Sequence, residues 1–362
     1  MEALKNLFNS KVVEAIADST VKFHPEFNVR QYVGKVLNEN WEDKELKERI
    51  SHIAVSLKDF LPSDYKKACV ILEKVSEDLP SGFEQMPLPT FIEFHGLNDF
   101  KTSINTLEKI TQGSTGEFAI RPFLKENPKR TLGEMKKWAT SKNEHVRRLS
   151  SEGCRPRLPW GGNFQDAIDD PKPVLEILEI LKNDDSLYVR KSVANNLNDI
   201  SKDHADLALQ TSARWIRENH QYAKWIVKKG LRGLLKNANP TALQMFGFAA
   251  PTLIEVRNFI IQEKSIKIVE RINFSFTIKN KSKSANKLRV EYLIDFQKKK
   301  GSSTKVFQLS EFEIEGNTER KFNKYQSFAD LTTRKHYTGK HKISIRINGE
   351  VKSSLTFDLL EC

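Results

Sequence analysis

The chain has 362 residues, of which 38% are hydrophobic and 29% are charged. This length suggests two or three domains, and the composition permits packed cores and excludes a mostly disordered chain. Lysine and arginine number 59 against 47 aspartate and glutamate residues, a formal net charge of +12. Such a balance favours an anionic partner, which could be nucleic acid, anionic lipid or an acidic protein.

Two absences narrow the expected cellular setting. No stretch approaches the ~20 apolar residues of a membrane helix, and the opening sequence MEALK lacks the basic start and apolar run of a secretory signal. Three cysteines, Cys69, Cys154 and Cys362, are too few and too scattered for a disulfide framework or a zinc site. We therefore expect a protein of the reducing cytoplasm.

Helical periodicity runs to about residue 250. In PVLEILEIL, residues 173–181, the apolar residues share one helical face. Segments around Val146, Val189 and Ala223 resemble one another, and each follows an amphipathic stretch and a polar turn. Helix pairs repeating at roughly 35–45 residues predict an α-solenoid of HEAT-like repeats. We place this helical domain at residues 1–255.

Aligning these segments predicts a polar stripe. At ~100° per residue, Glu152, Asn195 and Lys229 share one azimuth, and Asp199 follows one turn after Asn195. Because a solenoid stacks equivalent helices, we expect these side chains to lie across its concave face and to form a ligand surface. The alternative is a ladder of ion pairs between neighbouring repeats, which is the favoured interpretation for Asp199 taken alone.

After about residue 262 the period becomes two. Apolar residues alternate in Ile272–Ile278, and Asn348-Gly349 joins two further alternating runs, which is a strong hairpin signal. The alternation changes register between residues 307 and 314, which implies a bulge or two strands. About seven short strands in ~100 residues predict an immunoglobulin-like β-sandwich over residues 262–362. The expected fold class is therefore multidomain, helical first and then β.

The sandwich segment carries most of the excess positive charge, with 21 lysine and arginine residues against 12 acidic ones in residues 261–362. Lys281 and Lys283 lie in one predicted loop and Lys299 lies in another. These lysines either keep strand edges solvated and unpaired or contact a phosphate backbone, and the pattern leaves both interpretations open.

The segment SEGCRPRLPWGG, residues 151–162, is the least ordinary part of the chain. Its prolines and glycines predict that the helix ends after Glu152 and that an extended loop displays Arg155, Arg157 and Trp160. Arginine forks suit phosphates, and a tryptophan can stack on a sugar or a base. The alternative is a long connection whose tryptophan fills the core.

Two segments carry a family resemblance. NEHVRRLSSEGCRPRLPW, residues 143–160, and SVANNLNDISKDH, residues 192–204, resemble the signature of the AlkC alkylpurine DNA glycosylases, which are related to AlkD. Residues 117–123 and 230–236 support the likeness, which covers about residues 100–245. The trailing sandwich resembles that of AlkC proteins with an immunoglobulin-like domain.

The resemblance implies a monofunctional glycosylase that releases cationic bases such as 3-methyladenine and 3-methylcytosine. It implies double-stranded DNA containing alkylated bases as the partner, held in the concave face without full base flipping. We further expect a monomer without metal or other cofactor, associated with the nucleoid when it acts on DNA.

The resemblance also assigns roles to residues. Glu152, Glu117 and Asp199 are the implied catalytic carboxylates, and Trp160 and Phe118 the implied contacts to the lesion and its sugar. The expected phosphate contacts of the helical part are Arg148, Arg155, Arg157, Lys229, Arg232 and Lys236. Charge placement adds Lys281, Lys283 and Lys299 of the sandwich.

Ordinary interpretations compete with two of these roles. Glu152 could simply pair with Arg148, four residues earlier on a helix. Glu117 ends the sequence STGE, which fits a helix-capping box.

The chemistry of the lesion favours carboxylates. An alkylated base is already cationic and leaves without being protonated, so catalysis requires negative charge near C1′ and a positioned water. A non-catalytic solenoid that recognises distorted DNA and an adaptor that binds protein are the alternatives. Release of free base from methylated DNA distinguishes the enzyme from both.

Overall fold

The computed structural model describes residues 3–330 and 335–361. Met1, Glu2 and Cys362, which entered the expectations about a leader and about thiols, lie outside the described residues. By internal packing the chain divides into two units, Met1–Gly230 and Leu231–Cys362. Within the described ranges, no helix is long and apolar enough to cross a membrane.

In the described part of the first unit the regular structure is helical apart from one short hairpin with two residues in each strand, β1 Arg157–Leu158 and β2 Gly162–Asn163. The α-helices of its described part are α1 Ser10–Phe23, α2 Val29–Val36, α3 Leu46–Leu57, α4 Tyr65–Asp78, α5 Pro87–His95, α6 Phe100–Ile110, α7 Arg121–Glu126, α8 Pro128–Trp138, α9 Glu144–Glu152, α10 Gln165–Asp169, α11 Lys172–Leu181, α12 Leu187–Asp203, α13 Ala205–Arg217 and α14 Ala223–Gly230.

The internal repeat predicts which helices stack. The three similar segments fall on α9, α12 and α14, and α12 packs against both of the others. Side-chain caps start two of these helices, with Asn143 accepting a hydrogen bond from His145 N and Ser186 one from Tyr188 N. Arg147, at the start of α9, pairs with Asp184, which precedes α12, at 2.6 Å. This pair is the kind of ladder that joins neighbouring helical repeats.

The second unit begins with two short helices, α15 Arg232–Lys236 and α16 Pro240–Met245. Its strands within the described residues are β3 Ile254–Ile261, β4 Ser265–Lys267, β5 Arg271–Asn280, β6 Asn286–Gln297, β7 Ser302–Ile314, β8 Glu319–Ser327, β9 Gly339–Ile347 and β10 Glu350–Leu360. One sheet has the order β4-β10-β9-β6-β7, with β4 parallel to β10, and the other the order β3-β5-β8.

A shared core joins the two sheets. This core contains buried side chains of both sheets: Phe274 and Phe276 of β5, and Val290, Ile294 and Ile345 of the larger sheet. The predicted fold class, a helical region followed by an immunoglobulin-like β-domain, is confirmed by this architecture.

Local signals in the sandwich were accurate. Asn348 and Gly349, with φ of 46° and 88°, form the tight turn between β9 and β10. The register change in β7 is a bulge within one strand, opposite Val290 and Glu291 of β6. Strand β3 was not foreseen, because it precedes the segment in which the alternation becomes regular.

The segment that precedes β3 is hydrogen-bonded to β9 and to the turn that follows it. Arg346 Nη2 donates to the Lys236 carbonyl at 2.7 Å, and Asn348 Nδ2 donates to the Ala249 carbonyl at 2.8 Å. Arg346 also pairs with buried Glu291 at 2.7 Å. The predicted domain boundary between residues 255 and 262 follows the change of periodicity, and it stays a prediction.

Candidate active site

Glu152 ends α9 and is 6% exposed. Its Oε1 accepts a hydrogen bond from Arg155 Nη1 at 2.6 Å and lies 3.6 Å from Arg148 Nη2. No group of the described residues donates a hydrogen bond to its Oε2. One oxygen of this carboxylate is therefore anchored by two cations, and the other is left for a ligand. The predicted ion pair between Glu152 and Arg148 is therefore present, but it involves only Oε1, and Oε2 stays available to a ligand.

Arg155 joins Glu152 to Asp199. Its Nε and Nη2 each lie 2.8 Å from Asp199 Oδ2, and Lys202 Nζ holds Asp199 Oδ1 at 2.9 Å. Arg155 is 6% and Asp199 1% exposed. The expectation that the loop displays Arg155 is wrong, because the guanidinium is buried between two carboxylates. Burial disfavours its charge, but Glu152 and Asp199 together outweigh burial and raise the pKa of Arg155. The prediction that Arg155 contacts a DNA phosphate stays a prediction.

Glu117 reaches the same network through Arg148. Its Oε2 pairs with Arg148 Nη1 and accepts a hydrogen bond from Thr115 Oγ1 at 2.5 Å. Helix α7 begins only at Arg121, so the STGE sequence does not cap a helix, and the capping-box interpretation is wrong. The Arg148 guanidinium also lies 5.0 Å from the centre of the Tyr188 ring.

Charges alternate along this network. Burial disfavours the Arg148 cation, yet Glu117 and Glu152 together raise its pKa above the ordinary value. The structure thus brings the three predicted carboxylates together through Arg148 and Arg155. In the described part of the chain, no group of three or more His, Cys, Asp or Glu side chains is arranged to hold a metal ion.

Arg121 holds the loop that follows Glu152, a role that the sequence analysis missed. It is 4% exposed, and it donates to the carbonyl oxygens of Gly153, Arg155 and Gly162, each at 2.9 Å. Burial lowers the pKa of Arg121 to about 10. The available signal was its place in residues 117–123, but nothing in that segment identifies acceptors more than thirty residues away.

Trp160 lies at the tip of the β1–β2 hairpin and is 60% exposed. The interpretation that it fills the core is therefore wrong. Its φ of 65° is in the left-handed region, which is unfavourable for a bulky residue. Lys47 Nζ, from α3, donates to the Trp160 carbonyl at 2.5 Å and lies 5.2 Å from the centre of the Phe118 ring. Phe118 and Trp160 line one cavity of about 340 Å³.

The predicted phosphate contacts are spread over both units. Arg157 pairs with Asp203 at 2.8 Å on the first unit, and Lys229 is in the last turn of α14. The members in the second unit are Arg232 and Lys236 of α15, Lys281, which pairs with Glu255, and the exposed Lys283 and Lys299. Their DNA contacts stay predictions.

Comparison with known proteins finds similarity to DNA alkylation repair proteins in the helical part and to an immunoglobulin-like domain in the C-terminal part. Residues 114–237 match the family described as "DNA alkylation repair enzyme", and residues 255–361 match that described as "Uncharacterised protein YhaZ, C-terminal Ig-like domain". "Uncharacterized protein YhaZ" of Bacillus subtilis (strain 168) is 42% identical over 360 residues, which cover 99% of this chain and 100% of that protein.

A solved structure is similar over the same length. Pseudomonas fluorescens alkylpurine DNA glycosylase AlkC, bound to DNA containing an abasic site analog, is 37% identical with a TM-score of 0.95. The match covers 99% of this chain and 100% of that one.

Proposed function

Because the chain belongs to the AlkC-type DNA alkylation repair enzymes with a C-terminal immunoglobulin-like domain, we propose that it is a monofunctional DNA glycosylase. The proposed substrates are cationic alkylated bases, 3-methyladenine and 3-methylcytosine, in double-stranded DNA. The proposed reaction is hydrolysis of their N-glycosidic bond by a monomer in the cytoplasm, acting on the nucleoid.

This proposal rests mainly on the geometry of the Glu152 carboxylate. Its Oε1 is held by two arginines, and its Oε2 accepts no hydrogen bond from the described residues. As the cationic base leaves, the deoxyribose develops positive charge at C1′. A carboxylate fixed by Arg155 through Oε1 presents Oε2 to that charge without reorganising. The same oxygen can accept a proton from the water that attacks C1′. The leaving base needs no acid, because the electron pair of the broken bond stays on its glycosidic nitrogen and cancels the positive charge of the ring, so that the base leaves neutral.

Asp199 and Glu117 complete the proposed set of carboxylates. Each holds one arginine that touches Glu152, since Asp199 binds Arg155 and Glu117 binds Arg148. These contacts keep Glu152 in one orientation while placing two further negative charges close to the reacting sugar. We assign Glu152 to the water and the sugar, and the other two to the lesion's surroundings.

The aromatic and basic residues supply binding. Trp160 and Phe118 offer aromatic faces to a cationic base or its sugar. Arginine and lysine residues of both units are proposed to contact phosphates, which makes affinity fall steeply with salt. We propose that the sandwich completes a clamp on the duplex and that the lesion is not fully extruded.

The test is release of free base from methylated duplex DNA, followed by chromatography. We expect the wild type to release 3-methyladenine and 3-methylcytosine. Since a single fixed charge at a transition state is worth about 100-fold to 1,000-fold in rate, we expect Glu152→Gln to lose at least about 100-fold. Glu14→Gln, the same change on an exposed face of α1, is the matched control.

Two results would contradict the proposal. A wild type that binds methylated DNA but releases no base is a non-catalytic binder of distorted DNA. A folded Glu152→Gln variant with wild-type rates would remove the proposed mechanism.

A further inference from the structure

Tyr188, the second residue of α12, packs its ring against α9 beside the candidate carboxylates. The Arg148 guanidinium lies 5.0 Å from the ring centre, and the ring of His145 meets it edge-on at 5.7 Å. Both partners come from α9 and are about one helical turn apart. The tyrosine is still 39% exposed, so it covers one face of Arg148 and keeps part of its ring in solvent.

The Tyr188 ring shares its surroundings with two glutamates of the ion-pair network. Burial raises the pKa of Tyr188, the charge of Arg148 opposes this effect, and the charges of Glu117 and Glu152 add to it. An aromatic face also stabilises a guanidinium that lies on it. The ring and the two carboxylates therefore surround the same cation.

The two arms of Arg148 are held unequally. Its Nη1 donates hydrogen bonds to Glu117 Oε2 and, at 2.8 Å, to Thr115 Oγ1. Its Nη2 lies 3.6 Å from Glu152 Oε1, which is beyond hydrogen-bond distance, and finds no other acceptor among the described residues. A planar guanidinium held through one nitrogen can swing about that nitrogen. The face of Tyr188 is the contact that opposes such a swing.

The next repeat contains the same contact without the carboxylates. The Arg190 guanidinium of α12 lies 3.5 Å from the centre of the Tyr222 ring, which directly precedes α14. Its Nη1 donates to the backbone carbonyls of Asp184 and Asp185, at 3.0 and 3.2 Å. An arginine stacked on the tyrosine of the following helix is thus a feature of the repeat. At α9 this feature is joined to the ion-pair network.

We propose that Tyr188 is a positioning residue of the glycosylase site, which holds the Arg148 guanidinium on the Oε1 side of Glu152. The inference rests on the proposed function and adds a residue that acts through Arg148 and not on the DNA. Without the ring, Nη2 can swing towards Oε2 and put positive charge on the oxygen that is proposed to face C1′. Because the transition state needs unneutralised negative charge there, the reaction slows while DNA binding is kept.

Steady-state kinetics of base release from methylated duplex DNA test this role. We expect Tyr188→Leu to lower kcat about fivefold to tenfold, which is the range that a partly buried cation–π contact supplies, and to leave KM within about twofold. Tyr188→Phe keeps the aromatic face and should bring kcat back to within about twofold of the wild type. Tyr222→Leu removes the equivalent ring of the next repeat, so it is the matched control and should keep the wild-type kcat.

A double-mutant cycle with Arg148→Gln shows whether Tyr188 acts through this arginine. If it does, Tyr188→Leu lowers kcat no further once the guanidinium is gone. The Tyr188 variants leave the ion pairs in place, so they keep the proposal falsifiable if Arg148→Gln does not fold.

The outcomes separate this inference from the proposed function. A wild type that releases base, beside a Tyr188→Leu variant with unchanged kcat, overturns the inference alone. The inference is also overturned by equal losses in Tyr188→Phe and Tyr188→Leu, by an equal loss in Tyr222→Leu, by a loss chiefly in KM, or by additive losses in the cycle. Each of these places the effect in the hydroxyl group, in the repeat at large, in DNA binding or outside Arg148. A wild type that releases no base overturns the proposed function, and this role with it.

Discussion

Arg121→Met removes the guanidinium that ties the loop after Glu152 to the start of α7. Three carbonyl oxygens lose their donor. Those of Gly153 and Arg155 lie in the interior and cost about 1–3 kcal/mol each when left unsatisfied, and that of the exposed Gly162 loses a hydrogen bond of about 0.5–1.5 kcal/mol. Relief from burying the charge offsets part of this loss, because the burial that lowers the Arg121 pKa to about 10 corresponds to roughly 3 kcal/mol. We expect a net destabilisation of about 2 kcal/mol, the middle of the resulting range.

Calorimetry and kinetics measure the two consequences. For a unit of about this size, 2 kcal/mol lowers the melting temperature by roughly 4–8 °C. Because the loop carries Arg155 and Trp160, we also expect kcat for base release to fall more than KM rises, at a temperature where the variant is folded. Arg121→Lys should be intermediate in both measurements, since one ammonium cannot reach all three carbonyls. Arg130→Met, which removes an exposed arginine stacked on Phe100, is the control. Wild-type melting temperature and kcat in Arg121→Met would refute the argument.

Further substitutions test the networks and the sandwich. Arg155→Met leaves its two carboxylate partners buried without their shared cation, so we expect a loss of about 3–5 kcal/mol in chemical denaturation; an unchanged unfolding free energy contradicts this. The pKa of Glu179 is held at about 2, chiefly by its hydrogen bond with Arg214. The stabilisation of the fold by ionised Glu179 is therefore fully present above the ordinary pKa of a glutamate and is lost as the pH falls towards 2. The difference in melting temperature between wild type and Glu179→Gln should accordingly shrink on acidification, and a constant difference would be evidence against this contact. Replacing Lys283 and Lys299 together by methionine should reduce the slope of log affinity against log salt by about 1.8 if both contact phosphates, whereas an unchanged slope means that neither does.

Local patterns in the chain were enough to predict the architecture. Alternation identified the sandwich strands, Asn348-Gly349 the hairpin, and the change of register the bulge in β7. The repeated segments identified α9, α12 and α14 as equivalent, and these helices pack side by side. Such features depend on residues within one helical turn or one strand pair. There the periods of 3.6 residues for a helix and 2 for a strand appear directly as the spacing of apolar residues in the sequence.

Contacts at the candidate site join residues that are far apart in the sequence. The periodic pattern within one segment contains no information about such contacts. The motif marked Glu152 and predicted a loop that displays Trp160, which is exposed, but the packing of α9, α12 and the connecting loop placed Arg155 in the interior. The same packing brought Arg121 within reach of three distant carbonyls. A buried arginine is stabilised by whichever carboxylates or carbonyls can neutralise or solvate it. That choice is made only when helices from separate parts of the chain come together, so the sequence predicted that the loop displays Arg155 where the fold buries it in an ion-pair network.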